Sequence, residues 1–188
     1  MQFLAKGIVW GVLSILLTGC FGAGSQKPLH PSICEILDDN DEWIEPSLRA
    51  KENYGTPVFL SLALLELPLS DLDKKHVRPR TADWDEYRIR SERWDASPYE
   101  PADAVDFAAW FASETSKRNK ISWGNVSGHY LSLRLGHGSF ARFEKGQFPQ
   151  LEQQAQQVSI RAQRWERELA ECKDVWLSEG WLNKLKLW

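Results

Sequence analysis

The sequence predicts a single domain built from α-helices. Apolar residues recur at spacings of three and four along several segments, which is typical of helices that bury one face. We find no run with the apolar–polar alternation of a half-buried strand. About 170 residues remain after a removable N-terminal segment, a length that suits one domain with a substantial core.

The N-terminal segment has the layout of a secretory signal. Lys6 gives a positive start, residues 7–17 carry no charge, and Leu17-Thr18-Gly19-Cys20 closes the run. This closing segment resembles a bacterial lipobox, which implies a signal peptide of residues 1–19 and lipid on Cys20. An uncleaved anchor is the alternative, although a membrane span needs about 20 apolar residues. Phe21 stands where many inner-membrane lipoproteins carry Asp, which favours the outer membrane, facing the periplasm.

The start of the domain follows a short spacer. Residues 20–32 contain Gly, Ser and Pro and predict a flexible tether, so we place the domain at residues 33–172. Pro46 suits a first helical turn and predicts a helix to about Asn53, which Gly55 stops.

A buried helix is expected next. Thr56-Pro57 supplies an N-cap and a first-turn proline, and residues 58–67 are apolar on nearly all sides. Glu66 is the one charge in this run, and Pro68 ends it.

Four more helices complete the domain. We predict them at residues 84–94, 101–117 and 121–135, the third starting near Ser122 and broken by Gly136-His137-Gly138. The fourth is the last long helix, and its apolar seam consists of Leu151, Ala155, Val158, Ala162, Trp165, Leu169 and Cys172.

The cysteines predict one disulfide. Cys20 is assigned to lipid, and Cys34 and Cys172 remain in a chain that is expected to reach an oxidising compartment. Two buried free thiols are the alternative. Residues 173–188 form a Trp-rich tail, which either packs on the domain or lies at the lipid interface.

Charge and composition exclude some classes of function. The net charge of −3, without a basic face, argues against a nucleic-acid partner. The two remaining cysteines and the four histidines lack the spacing of metal ligands, so we expect no metal and no cofactor. Ten Trp residues suit either a dense core or a groove that stacks on sugar rings.

Five segments follow one another in a recognisable order: Ile33-Cys34, Tyr54-Gly55-Thr56-Pro57, Ala104-Val105-Asp106-Phe107 with Trp110, Gly136-His137-Gly138-Ser139-Phe140, and Cys172. Together they resemble a family of bacterial lipoproteins with a soluble-lytic-transglycosylase domain. The resemblance implies the lysozyme-like α-helical fold. It also implies peptidoglycan as substrate, cleaved between N-acetylmuramic acid and N-acetylglucosamine by one Glu that acts as acid and then as base, leaving a 1,6-anhydro sugar.

The chain departs from that family at three positions of the active site. Counting from Gly55-Thr56-Pro57, the expected Glu-Ser pair falls on Pro68-Leu69, and Glu66 lies two residues earlier, about 200° around a helix. A Gly-Tyr-Ala-Gln-like segment has no room between Arg80 and Trp84, and the family's Tyr-His pair reads Leu133-Arg134. Such changes favour a fold that is kept after its chemistry is lost.

Three hypotheses follow from the sequence. The first is a non-catalytic envelope lipoprotein that binds glycan or an envelope protein partner. The second is an active lytic transglycosylase with Glu66 as the acid/base, its pKa raised by an apolar helix end. The third is an all-α interaction or inhibitor lipoprotein without a sugar groove. Candidate groove residues are Trp84, Tyr130, Arg134 and His137, although Trp84 and Tyr130 also suit a core and His137 a turn.

Overall fold

Every regular element of the structure is helical across the part of the chain that the computed structural model describes, residues 32–39, 41–65 and 75–178. The prediction of an all-α fold is therefore confirmed. The α-helices in chain order are α1 Ile33–Asp39, α2 Ile44–Tyr54, α3 Val58–Ala63, α4 Thr81–Arg90, α5 Pro101–Asn119, α6 Val126–Leu135, α7 His137–Phe140 and α8 Pro149–Ser178. A 3-10 turn, Asp41–Trp43, precedes α2.

The central helix is α5, which is buried along most of its length. Pro101 lies in its first turn, and every residue from Asp103 to Thr115 is buried. It packs against α2 and α3, and its aromatic residues meet α4. Phe107 packs against Trp84 and Tyr87, with ring centroids 4.9 Å and 5.4 Å away. The core of the domain is therefore assembled around α5.

Two helices begin or end away from their predicted positions. The helix predicted over residues 58–67, with Pro57 as its first helical position, begins at Val58, because the Thr56 hydroxyl donates to the carbonyl of Ala109 (2.8 Å) instead of capping the helix. It ends at Ala63. The helix predicted to start near Ser122 begins at Val126. There the side chain of Asn125 accepts the N–H of Gly128 (3.0 Å), and this cap fixes the start.

Smaller differences affect other helix ends. The helix predicted at Pro46 starts two residues earlier, and its stop is confirmed: Gly55 has a φ of 71°, which glycine adopts without strain. The helix predicted over residues 84–94 lies at 81–90. Gly136 ends α6 as expected, but His137 begins the short helix α7.

The long helix α8 carries its apolar seam as predicted. Ala155, Val158, Ala162 and Trp165 are buried, and Leu169 packs on the core. At its far end the disulfide Cys34–Cys172 joins α1 to α8, and the N–H of Ile33 donates to Glu168 Oε2 (2.9 Å). The predicted disulfide is therefore present in the structure.

Within the described ranges, no helix is both long and apolar enough to cross a membrane. The predicted signal peptide, the tether up to residue 31, Glu66, Pro68 and the tail from residue 179 lie outside the described residues.

Candidate functional site

The candidate site lies where the end of α6 and the start of α7 meet α4 and α5. Gly136 turns the chain between α6 and α7 with a φ of 83°, a backbone conformation that side-chain-bearing residues rarely adopt. The guanidinium of Arg80, at the start of α4, lies against this glycine and donates from Nη1 to the carbonyl of Leu135 (2.9 Å). The segment Gly136-His137-Gly138 is thereby held to α4.

His137 is packed into the protein rather than exposed on a turn. Its ring stacks on Phe111, with centroids 4.3 Å apart and planes 13° apart. Its Nε2 lies 2.9 Å from Thr115 Oγ1, and its Nδ1 lies 3.4 Å from Arg118 Nη1. The Thr115 hydroxyl donates to the carbonyl of Phe111 (2.8 Å). Nε2 therefore carries the proton, while Nδ1 accepts from Arg118.

Burial and the neighbouring guanidinium keep His137 neutral. Loss of solvent lowers its pKa to about 4, and the positive charge of Arg118 acts in the same direction. A second proton, on Nδ1, would face Arg118 directly. The imidazole is therefore a poor proton donor at neutral pH.

A network of ion pairs surrounds this histidine. Glu114 is buried on α5 and pairs with Arg90 (2.7 Å), Arg118 (2.9 Å) and Lys117 (3.3 Å). Burial alone would raise the pKa of Glu114, but the hydrogen bonds from these cations lower it. The hydrogen bond from Arg118 likewise lowers the pKa of Glu86. Both carboxylates are therefore ionised at neutral pH.

Asp83 differs from Glu86 and Glu114 because its pKa is raised rather than lowered. It is buried on the first turn of α4, and its Oδ2 has no hydrogen-bond partner. Burial raises the pKa of this carboxyl, although Arg80 opposes the shift. Asp83 is the one described carboxyl group whose pKa is clearly raised, but its side chain points into the protein rather than to solvent.

Two of the recognised sequence segments meet beside the site. Asp106 on α5 accepts from the hydroxyls of Tyr54 (3.0 Å) and Tyr87 (2.8 Å), and Arg93 Nη1 lies 3.3 Å from the same oxygen. Burial raises the pKa of both tyrosines, and the negative charge of Asp106 adds to the shift. The hydroxyls therefore stay protonated and serve as donors that hold α2, α4 and α5 together.

The structure places the four candidate groove residues on α4, α6 and α7. Trp84 packs in the core on Phe107, whereas Tyr130 lies on the side of α6 that meets α8, where its hydroxyl is 3.5 Å from Gln154 Oε1. Arg134 is half-buried one turn further along α6. His137 is held as described above, and Glu66 is outside the described residues. Contact of any of them with glycan stays a prediction.

The charged residues of this network were not singled out from the sequence. A signal was present, since Asp103, Asp106 and Glu114 interrupt the apolar pattern of α5. Charges on a buried face are usually paired, so these positions indicate partners on neighbouring helices. In the part of the chain described, no group of three or more His, Cys, Asp or Glu side chains is placed to hold a metal ion.

Comparison with known proteins agrees with the architecture. A family profile described as the transglycosylase SLT domain matches residues 68–172, more than half of the chain. The match covers α4 to most of α8 and includes the whole candidate site. Comparisons with curated proteins and with solved structures give no match.

Proposed function

The chain belongs to the transglycosylase SLT domain family, which has the lysozyme-like α-helical fold, and we propose that it binds peptidoglycan, the polymer to which the family's function is related, without cleaving it. In this proposal the mature protein is held at the outer membrane by lipid on Cys20 and contacts glycan, or an envelope protein at the wall, through the α-helical domain.

The state of the carboxyl groups carries this proposal. Glycan cleavage by this family needs a carboxyl that is protonated near neutral pH and reaches the glycosidic oxygen. Glu86 and Glu114 are ionised by their ion pairs, and Asp83 is turned into the protein. At the position where the family pattern places its acid, the chain carries Pro68, which has no proton to donate.

The family's Tyr-His pair is also absent at the corresponding positions of this chain. The Tyr-His pair of the family corresponds here to Leu133-Arg134. Leu133 is 2% exposed and belongs to the core, so this position offers substrate neither a hydroxyl nor an imidazole. A domain altered in this way keeps the shape of the fold, while positions 68 and 133 supply no acid.

The test combines digestion and binding. The mature, disulfide-bonded lipoprotein is purified in mild detergent and incubated with purified peptidoglycan beside an active lytic transglycosylase. Soluble products are identified by mass spectrometry, and retention on intact sacculi is measured by pelleting. We expect no 1,6-anhydro product and saturable pelleting.

Two variants and a control make the test specific. Glu66→Gln removes the carboxyl that the sequence offers as an acid, and Asp83→Asn removes the described carboxyl whose pKa is raised. Glu45→Gln, on the exposed face of α2, is the matched control. An anhydro product that disappears in either variant but persists in the control would make the protein an enzyme. Absence of both product and pelleting would favour the all-α interaction or inhibitor hypothesis instead.

A further inference from the structure

Three phenylalanines form a row that leads away from the candidate site. Phe140 ends α7, Phe143 follows it, and Phe148 precedes α8. The ring centroids of Phe140 and Phe143 are 6.4 Å apart with planes 9° apart, and those of Phe143 and Phe148 are 6.4 Å and 15° apart. We call these three residues the phenylalanine row. Phe148 is 42% exposed and the other two are half-buried.

The loop that carries the phenylalanine row is held in place by hydrogen bonds. Glu152 Oε1, on the first turn of α8, accepts the N–H of Gly146 (2.7 Å) and of Phe148 (3.3 Å). Gly146 has a φ of 91°, which lets the loop turn back toward that helix. The N–H of Phe143 donates to the carbonyl of Phe140 (3.0 Å). The rings are therefore presented by an ordered segment.

Partly exposed rings in a row indicate a binding surface. Exposed apolar side chains that lie together, unlike single ones, are typical of interaction sites. The apolar C–H faces of pyranose rings pack on aromatic rings, and the exposed ring of Phe148 at the end of the row offers such a surface. Arg142 and Lys145 are exposed on the same loop and suit the carboxylates of the peptides that substitute peptidoglycan.

The position of the row relative to the anchor favours the wall over the membrane. The described chain begins at Ser32, and Ile33 and Cys34 are fixed to Glu168 and Cys172 on α8. The phenylalanine row lies at the other end of the same helix, about 35 Å away at 1.5 Å per residue. The described chain therefore begins at the end of the domain opposite to the row.

We propose that the phenylalanine row, with Arg142 and Lys145, is a contact surface for the glycan strands of peptidoglycan. The inference rests on the proposed wall-binding function and adds to it the surface that makes the contact. The row continues from α7, so a strand on it would extend from the candidate site toward the start of α8.

Pelleting on sacculi tests the surface directly. We compare the full mature protein with the double variant Phe143→Ser/Phe148→Ser and with Trp94→Ser, whose side chain is 63% exposed in the connection between α4 and α5. We expect at least a fivefold weaker apparent affinity in the double variant and no change in Trp94→Ser. Circular dichroism establishes that each variant is folded.

A fluorescent probe gives a second readout. In Phe148→Cys the introduced thiol is free to react, because Cys34 and Cys172 are bonded to each other and Cys20 is lipidated in the proposed mature form. An environment-sensitive dye at this position should shift to the blue when sacculi are added. Proteoliposomes of phosphatidylethanolamine and phosphatidylglycerol, without sacculi, should leave its spectrum at the value for an exposed dye.

The outcomes separate this inference from the proposed function. If the double variant pellets as strongly as the wild type and the dye emission does not shift with sacculi, the proposal for the phenylalanine row is overturned while the proposed function stands. A blue shift in proteoliposomes, with no response to sacculi, assigns the row to the membrane surface and also overturns it. Absence of wild-type pelleting contradicts the proposed function, and the inference is lost with it.

Discussion

The guanidinium of Arg80 occupies the space that a side chain at position 136 would need. A Cβ on Gly136 would lie 1.6 Å from Arg80 Nη1, which is far inside any non-bonded contact. The two residues are distant in sequence, yet Arg80 also binds the carbonyl of Leu135 beside this glycine. The lack of a side chain at position 136 therefore leaves room for the Arg80 guanidinium, which links the start of α4 to the end of α6.

Gly136→Ala should destabilise the fold by about 1–3 kcal/mol, mainly through backbone strain. The new methyl group would displace Arg80, and alanine is strained at a φ of 83° and a ψ of 153°, a conformation that costs non-glycine residues about 1–3 kcal/mol. Urea unfolding followed by circular dichroism measures the loss.

Gly138→Ala is the matched control for this prediction, because nothing lies within 4 Å of a Cβ there. Combining Gly136→Ala with Arg80→Ala should cost less than the sum of the single changes, since the clash is then removed. Equal stability of the two alanine variants at 136 and 138 would contradict the fitted contact.

Tyr87→Phe should cost about 1.5–3 kcal/mol, the usual range for a hydrogen bond to a charged group. The change removes one donor to the buried carboxylate of Asp106 and leaves the ring in place. Tyr54→Phe should cost less, since Tyr54 is half-buried and water can replace its hydroxyl. Denaturant midpoints of the two variants give the comparison, and a larger loss from Tyr54→Phe would contradict it.

Loss of the Cys34–Cys172 disulfide should destabilise the protein by about 4–5 kcal/mol, because the bond closes a very long loop in the unfolded chain. The sequence separation is 138 residues. Denaturant unfolding of the wild type and of Cys34→Ser/Cys172→Ser, both without reductant, measures the difference. The bond itself is checked by the mass of the intact protein before and after reduction. A difference below about 1 kcal/mol would show that the unfolded chain gains little freedom.

Stability should fall as the pH falls from 6.5 toward 5. Burial lowers the pKa of His129 and of His137 from the ordinary 6.5 to about 4. Between these values the unfolded chain binds protons at both imidazoles and the folded chain does not, so acid favours unfolding. Glu86 and Glu114, whose pKa values are lowered, lose their contribution only at lower pH.

The variant His137→Gln isolates the contribution of one of these histidines to the pH dependence. His137→Gln should lower the melting temperature at pH 7.5 and flatten its dependence on pH between 6.5 and 5. Differential scanning calorimetry at several pH values measures both. A slope as steep as that of the wild type would assign the dependence to other groups.

The helical architecture could be predicted from local patterns, because apolar residues recur at spacings of three and four within each long helix. The seam of α8 and the apolar face of α5 indicate helices by residue spacing alone. Cys34 and Cys172 could be paired by elimination, once Cys20 was assigned to lipid. Helix starts were less accurate where a side chain found another partner, as Thr56 does in the carbonyl of Ala109.

The contacts of the candidate site could not be predicted in the same way. Arg80 with Gly136, and Arg90 with Glu114, join residues from different helices, and no periodicity specifies which helices become neighbours. His137 illustrates the limit: its position between two glycines suggested a turn, whereas stacking on Phe111 places it in the interior. The family resemblance identified the region, and the packing determined the role of each residue.

The bond between Cys34 and Cys172 also determines how the domain would carry mechanical load. Tension that enters at Ser32 meets, within two residues, a covalent link to the longest helix of the fold. The pull then passes along α8 toward the phenylalanine row and bypasses the short helices α2, α3 and α4. If the protein is held by lipid and by peptidoglycan as proposed, this path protects the domain from unravelling at its N-terminal end.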